Sequence, residues 1–133
     1  MALQGSCLCK TVRYEIDEID GQIWDCMCQT CRKAHAAHHN TAARVKREHF
    51  RVTDGAEMLS HFESSPGKFR HFCRRCGTHV YAERSELPFV VLRAATLDSD
   101  PGLKPSTRVW TSHEVPWLQS HPDILTFPEG APS

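Results

Sequence analysis

Seven cysteines fall into three clusters with none left over: Cys7-x-Cys9, Cys26-x-Cys28-x-x-Cys31 and Cys73-x-x-Cys76. No other feature limits what this chain of 133 residues can fold into so tightly. Seven is odd, and Met1 to Lys10 lacks the charged and apolar regions of a secretory signal, so a fully paired disulfide framework does not account for the pattern. Metal ligation does. Thiolates two or three residues apart can reach one tetrahedron around a zinc ion, with sulfur at about 2.3 Å.

Seven thiolates divide into one complete set of four and one incomplete set of three. Structural zinc sites are closed, whereas catalytic ones keep a position free. The contiguous triple Cys26, Cys28 and Cys31 can face one ion from one short segment and is assigned to an open, catalytic zinc. Cys7, Cys9, Cys73 and Cys76 remain for a closed, structural zinc that joins the N-terminal segment to a knuckle far downstream. Gly77, directly after Cys76, tolerates the left-handed backbone that such a knuckle requires. Two zinc ions are expected. The alternatives are buried free thiols, and a redox sensor in which Cys26, Cys28 and Cys31 form a reversible disulfide.

Composition narrows the class further. Sixteen basic residues balance sixteen acidic ones, so long-range attraction to nucleic acid or anionic lipid has no global source. Local basic segments, Arg44 to Arg51 and Arg70 to Arg75, are offset by acidic residues elsewhere. No nucleic-acid or membrane partner is expected, since no stretch approaches the roughly 18 apolar residues of a membrane helix. A cytoplasmic protein of one zinc-binding domain, 1–133, follows, with a core at about 5–127 and a frayed tail at 128–133.

Period-two alternation at Thr11–Asp17 and β-rich runs at Gly21–Asp25, Glu57–Glu63, Lys68–Phe72, Thr78–Glu83 and Phe89–Ala94 predict short strands. Thr107–Thr111 and Ile124–Phe127 are weaker strand candidates. Ser64-Ser65-Pro66-Gly67 and Asp98 to Gly102 read as turns, and Cys31–His39 as a short turn or helix. The fold class is mainly β, with short antiparallel strands built around the zinc sites.

At these residues the sequence resembles the glutathione-dependent formaldehyde-activating enzyme family. Gly5-Ser6-Cys7-Leu8-Cys9 followed by Thr11-Val12-Arg13-Tyr14 is similar to its N-terminal pattern, and Cys26-Met27-Cys28-Gln29-Thr30-Cys31-Arg32-Lys33 to its C-H-C-x-x-C-R segment. Ser64 to Gly67, the knuckle Phe72 to Thr78, Thr96-Leu97-Asp98 and Pro116-Trp117 extend the likeness over about Gly5 to Trp117. The resemblance implies a β-tent fold and the same division of the cysteines between structural and catalytic zinc. It further implies addition of glutathione to formaldehyde, giving S-hydroxymethylglutathione, a carbon–sulfur lyase reaction run backwards. Three positions depart from the pattern: Lys10 in place of Gly, Met27 in place of His, and Glu114 where many members carry Lys.

Chemistry of the open site follows from three thiolates around zinc, which leave a weak Lewis acid for water but a good anchor for a fourth thiolate. A small thiol such as glutathione is expected to bind there and attack a small aldehyde or related electrophile. A zinc-stabilised binding module without turnover is the alternative. His35, His38 or His39 could complete the open site or carry a proton, or else be packing and surface residues. Arg32 and Lys33 could clamp a carboxylate or lie on a solvated face. Trp110, Trp117 and Phe127 could line a pocket, or, as aromatics more often do, belong to the core.

Overall fold

A computed structural model describes residues 2–132. The first and last residues of the expected 1–133 domain, and with them the end of the expected 128–133 tail, lie outside the described residues.

Ten strands and one short helix follow in order: β1 (Leu3–Ser6), β2 (Arg13–Ile16), β3 (Ile23–Cys26), α1 (Gln29–His35), β4 (Asn40–Lys46), β5 (Phe50–Asp54), β6 (Leu59–Ser65), β7 (Lys68–Cys73), β8 (His79–Arg84), β9 (Phe89–Arg93) and β10 (Thr107–Val109). A three-stranded sheet has the order β1-β2-β5, and a seven-stranded sheet the order β10-β3-β4-β9-β8-β7-β6. Pairing is antiparallel throughout except that β10, at the edge, joins β3 in parallel. The mainly β architecture of short antiparallel strands is the one expected.

Alternation explains how the two sheets meet. Val12, Tyr14 and Ile16 are buried while Arg13 faces out, as a half-buried strand requires. They pack with Ile23, Ala43, Val45, Val80, Val90 and Leu92 from the larger sheet, and Cys7 and Cys73 belong to the same cluster. The Tyr14 hydroxyl lies 2.7 Å from Thr96 Oγ1, tying β2 to the turn after β9. Pro66-Gly67 makes the tight turn between β6 and β7, with Gly67 at φ 80°.

Three strands escape the sequence patterns: β1, β4 and β5. In β4 the first half, Asn40 to Ala43, is covered on both sides, and alternation is confined to Ala43 to Lys46, too short a run to mark the strand. The helix begins at Gln29 rather than Cys31 because the Cys28 sulfur accepts the Cys31 N–H at 3.2 Å and caps it, and it ends at Ala36, which is left-handed at φ 49°. Ile124–Phe127 forms no strand: no neighbour offers it a ladder, and Leu125 stands exposed. Trp110, Trp117 and Phe127 are not core residues either. They are exposed, Trp117 to 76%, in a segment that joins the larger sheet only through β10 at its edge and is otherwise mostly exposed. No helix among the described residues is long and apolar enough to cross a membrane.

Gly5 in β1 lies so close to Tyr14 that a Cβ built there collides with the phenol ring, whereas one at Gly130 meets open space. Gly5→Ala is therefore expected to lower stability by about 1–3 kcal/mol, the usual cost of overpacking, and Gly130→Ala to leave it unchanged in a denaturant titration.

Candidate metal centres

The chain brings its seven cysteines together as four and three. The sulfurs of Cys7, Cys9, Cys73 and Cys76 lie within 4.8 Å of one another, as do those of Cys26, Cys28 and Cys31. A tetrahedron of sulfurs at about 2.3 Å from zinc has edges of about 3.8 Å. Cys7 and Cys9 are 3.6 Å apart and Cys9 and Cys73 3.9 Å, close to that edge and far from the roughly 2.05 Å of a disulfide. The residues present fit a bound metal, and an all-thiolate donor set suggests zinc.

The two halves of the four-cysteine group are built alike. Each second cysteine is followed by a left-handed residue, Lys10 at φ 65° and Gly77 at φ 79°. The N–H of each turns back onto the carbonyl of the first cysteine, Lys10 to Cys7 at 3.0 Å and Gly77 to Cys73 at 2.7 Å. The sulfurs are hydrogen-bonded in turn: Val12 N–H donates to Cys7 Sγ at 3.3 Å, Cys9 Sγ donates to the Thr11 hydroxyl at 3.3 Å, and Cys76 Sγ lies 3.2 Å from the Thr78 hydroxyl. Burial pushes the Cys7 thiol up to about 11. Cys76 is held at about 5, since the Thr78 hydroxyl and backbone hydrogen bonds from Cys9 and Thr78 outweigh its desolvation.

The three-cysteine group sits where β3 runs into α1. No fourth Cys, His, Asp or Glu ligand atom among the described residues lies within 4.8 Å of all three sulfurs. Cys31 is drawn down to about 4, first by its hydrogen bond with Cys26 and then, against burial, by Cys28 and the Arg70 guanidinium. Cys26 moves the other way through the same contact and its own burial. Arg70, only 2% exposed, has Nη2 3.8 Å from Cys31 Sγ. It also lines a cavity of about 710 Å³ with Gln29, Lys33, Phe62, Phe72, His79 and His113. Across that cavity His113 Nδ1 accepts the Gln29 N–H at 3.2 Å, so the segment after β10 reaches back over the loop that carries Cys28.

Of the histidines singled out by sequence, none joins the triple. His35 is half-buried and ring-packed on His79 at 4.8 Å, and desolvation, with Arg93 nearby, holds it down at about 3, in the neutral form. His38 Nε2 pairs with Glu114 at 3.0 Å, and His39 Nε2 lies 3.6 Å from Asp25. Lys33 lines the large cavity, while Arg32 does not. Sequence reading missed the inward Arg93 and Asn40, and it saw Arg70 only as part of a basic run. It also missed a surface group of Glu18, Asp20 and His49. There His49 Nδ1 lies 3.0 Å from Asp20 Oδ2, which also accepts the Lys46 N–H at 2.7 Å.

Two outcomes follow. A lysine in left-handed backbone costs about 1 kcal/mol that glycine avoids, so Lys10→Gly is expected to raise stability by about that amount in a denaturant titration and Lys10→Ala to bring no gain. At the surface group, the Asp20 contact raises His49 above 6.5, and against desolvation Lys46 N–H and His49 hold Asp20 below 3.8. The His49 contribution is complete below pH 6.5 and lost as pH rises through its folded value. The Asp20 contribution is complete above pH 3.8 and lost as pH falls through its folded value. Asp20→Asn should move the His49 midpoint back toward 6.5 in ring NMR, and an unmoved midpoint would assign the shift to Glu18 and Asp17.

Comparison with known proteins agrees with this geometry. The family model for glutathione-dependent formaldehyde-activating enzymes matches residues 2–113. A Halomonas elongata protein, whose name assigns it provisionally to glutathione-dependent formaldehyde activation, is 31% identical over 108 residues, covering 75% of this chain and 68% of its own length. The crystal structure of a Rhodobacter sphaeroides protein is similar with a TM-score of 0.66 at 26% identity, covering 80% of this chain and 99% of that one. With the match running through every cysteine of both groups, the chain belongs to the glutathione-dependent formaldehyde-activating enzyme family.

Proposed function

We propose that the chain is a zinc-dependent enzyme of the carbon–sulfur lyase class that joins a small thiol, glutathione or a relative of it, to formaldehyde or a related electrophile. In this reading it works in the cytoplasm as one zinc-binding domain, 1–133. Cys7, Cys9, Cys73 and Cys76 hold a structural zinc, and Cys26, Cys28 and Cys31 hold a second zinc with one position free. Family membership supports glutathione and formaldehyde. The observation that carries the reading is the three-sulfur group with no fourth side-chain ligand atom, adjoining a cavity of about 710 Å³ through Arg70.

Bound zinc would hold an incoming thiolate at the free position and lower its pKa. The remaining work falls to the chain. The thiolate sulfur forms a bond to the carbonyl carbon, the C=O π pair moves onto oxygen, and that oxygen takes up a proton from solvent, matching the one the thiol gave to solvent on ionising. Arg70, its guanidinium beside Cys31, favours negative charge at this spot. His113 accepts the Gln29 N–H through Nδ1, so its neutral ring carries the proton on Nε2 and can offer a hydrogen bond within the cavity. Phe62 and Phe72 give the same cavity apolar surface.

Metal analysis of the purified protein is expected to give two zinc ions per chain. Cys31→Ser should retain one, keep its cooperative unfolding and lose more than about 100-fold in kcat/KM with glutathione and formaldehyde. Cys73→Ser should lose the fold itself. X-ray absorption at the zinc edge should gain sulfur ligation when glutathione is added, and a spectrum indifferent to thiol would exclude the mechanism.

A further inference from the structure

Behind the three-cysteine group lies a second cavity, of about 550 Å³, lined by His35, Asn40, Thr78, His79, Arg93 and Thr96 among others. Strand β4 sets its position: Asn40 stands opposite Cys26 on β3, and Ala42 stands opposite Arg93 on β9. Asn40 is 5% exposed and Arg93 4%. Asn40 Nδ2, Arg93 Nε and Arg93 Nη2 have no hydrogen-bond partner, and neither do His35 Nε2 and His79 Nδ1 in the same wall. Arg70 Nη1, close by, is also without one.

Leaving one such group buried and unpaired costs about 1–3 kcal/mol, and more when it is charged, so a convergence of them needs an explanation. The cysteines do not supply it, because Arg70 alone among the described arginines donates to a sulfur of the triple, at 3.8 Å. No Asp or Glu lines the cavity, and Arg93 forms no ion pair among the described residues. Nε and Nη2 are the two donors along one edge of a guanidinium, the edge that meets both oxygens of a carboxylate in a fork.

We propose that this cavity is a carboxylate subsite, in which a carboxylate lies against the Nε–Nη2 edge of Arg93 with Asn40 Nδ2 as a third donor. The carboxylate belongs either to the thiol or to the electrophile. Only this last choice rests on the thiol-addition reading above; the subsite itself does not.

Formate, the smallest carboxylate, is the direct probe. Titrated calorimetrically into the metal-loaded protein, with sodium chloride at equal ionic strength as control, it should bind at one site. Arg93→Lys keeps the charge but not the fork and should weaken binding at least tenfold. Asn40→Asp, nearly the same size, sets a carboxylate against the ligand and should abolish it, which keeps the test open should the Arg93 variant fail to fold. No formate binding, or binding equally tight in both variants, overturns the proposal. Turnover then identifies the source. A rise in KM for glutathione with formaldehyde in Arg93→Lys assigns the carboxylate to the thiol. A rise in KM for glyoxylate with 2-mercaptoethanol assigns it to the electrophile. An equal loss of kcat with 2-mercaptoethanol and formaldehyde, a pair carrying no carboxylate, overturns the subsite. If no pair turns over, the thiol-addition reading fails while the formate titration still decides the subsite.

Discussion

Two stretches of chain 64 residues apart meet through sulfur, with Cys9 3.9 Å from Cys73. Closing a loop of that length costs on the order of 4 kcal/mol in chain entropy, and a metal held in common by the two stretches would offset it. The meeting point is one end of the core, not a surface clip, since Cys7 and Cys73 are buried in the cluster that contains Val12, Tyr14 and Leu92. Polar links add to this: Gln4 exchanges hydrogen bonds with Asp98 and Ser99, Ser6 Oγ donates to Asp98 at 2.7 Å, Leu8 N–H donates to Thr78 at 3.1 Å, and Tyr14 meets Thr96. The four-sulfur group and these links together set how β1 and β2 lie on the larger sheet. The open group depends on that placement, because Arg70, its charged neighbour, comes from β7.

Features that depend on neighbours in sequence were the legible ones. Val12-Tyr14-Ile16 alternates because one face of β2 is buried and the other is not, and the ligand spacings are local because one turn must bring two sulfurs to one ion. Strand β4 hid because its first half, between β3 and β9, is covered on both faces by small residues, which leaves only Ala43 to Lys46 to alternate. Strand β5 hid behind its charge. Arg51 read as part of a basic run, yet it pairs across the sheet with Glu15 and Asp17 on and beside β2. The start of α1 hid because a cysteine sulfur does the capping usually given to Ser, Thr, Asp or Asn.

The buried cations were illegible for a different reason. On a strand, an arginine between apolar neighbours reads as the solvent-facing half of an alternation. Arg70 and Arg93 face inward only because three thiols lie on the other side of the wall, and that is a fact of tertiary structure. Desolvation, and after it repulsion from Arg70, weaken the Arg93 guanidinium's hold on its proton, and negative charge on Cys31, Cys26 and Cys28 opposes them only in part. If a divalent ion is held by the three thiolates, the two guanidiniums would leave one positive charge to be answered, the electrostatic condition for admitting an anionic reactant.

Met27 shows how the rest of the chain compensates for a change inside the cysteine segment. Its thioether is 1% exposed, and its N–H is committed to the Val109 carbonyl of β10 at 3.0 Å, so nothing at this position can donate or accept a proton. An imidazole near the three sulfurs must come from elsewhere. His79 is held neutral by burial and by Arg93, and it forms part of both cavities. His113 is fixed by the Gln29 N–H in the tautomer that keeps Nε2 as a donor. The same β10 contact that secures Met27 leads the chain back to His113, two residues beyond Thr111.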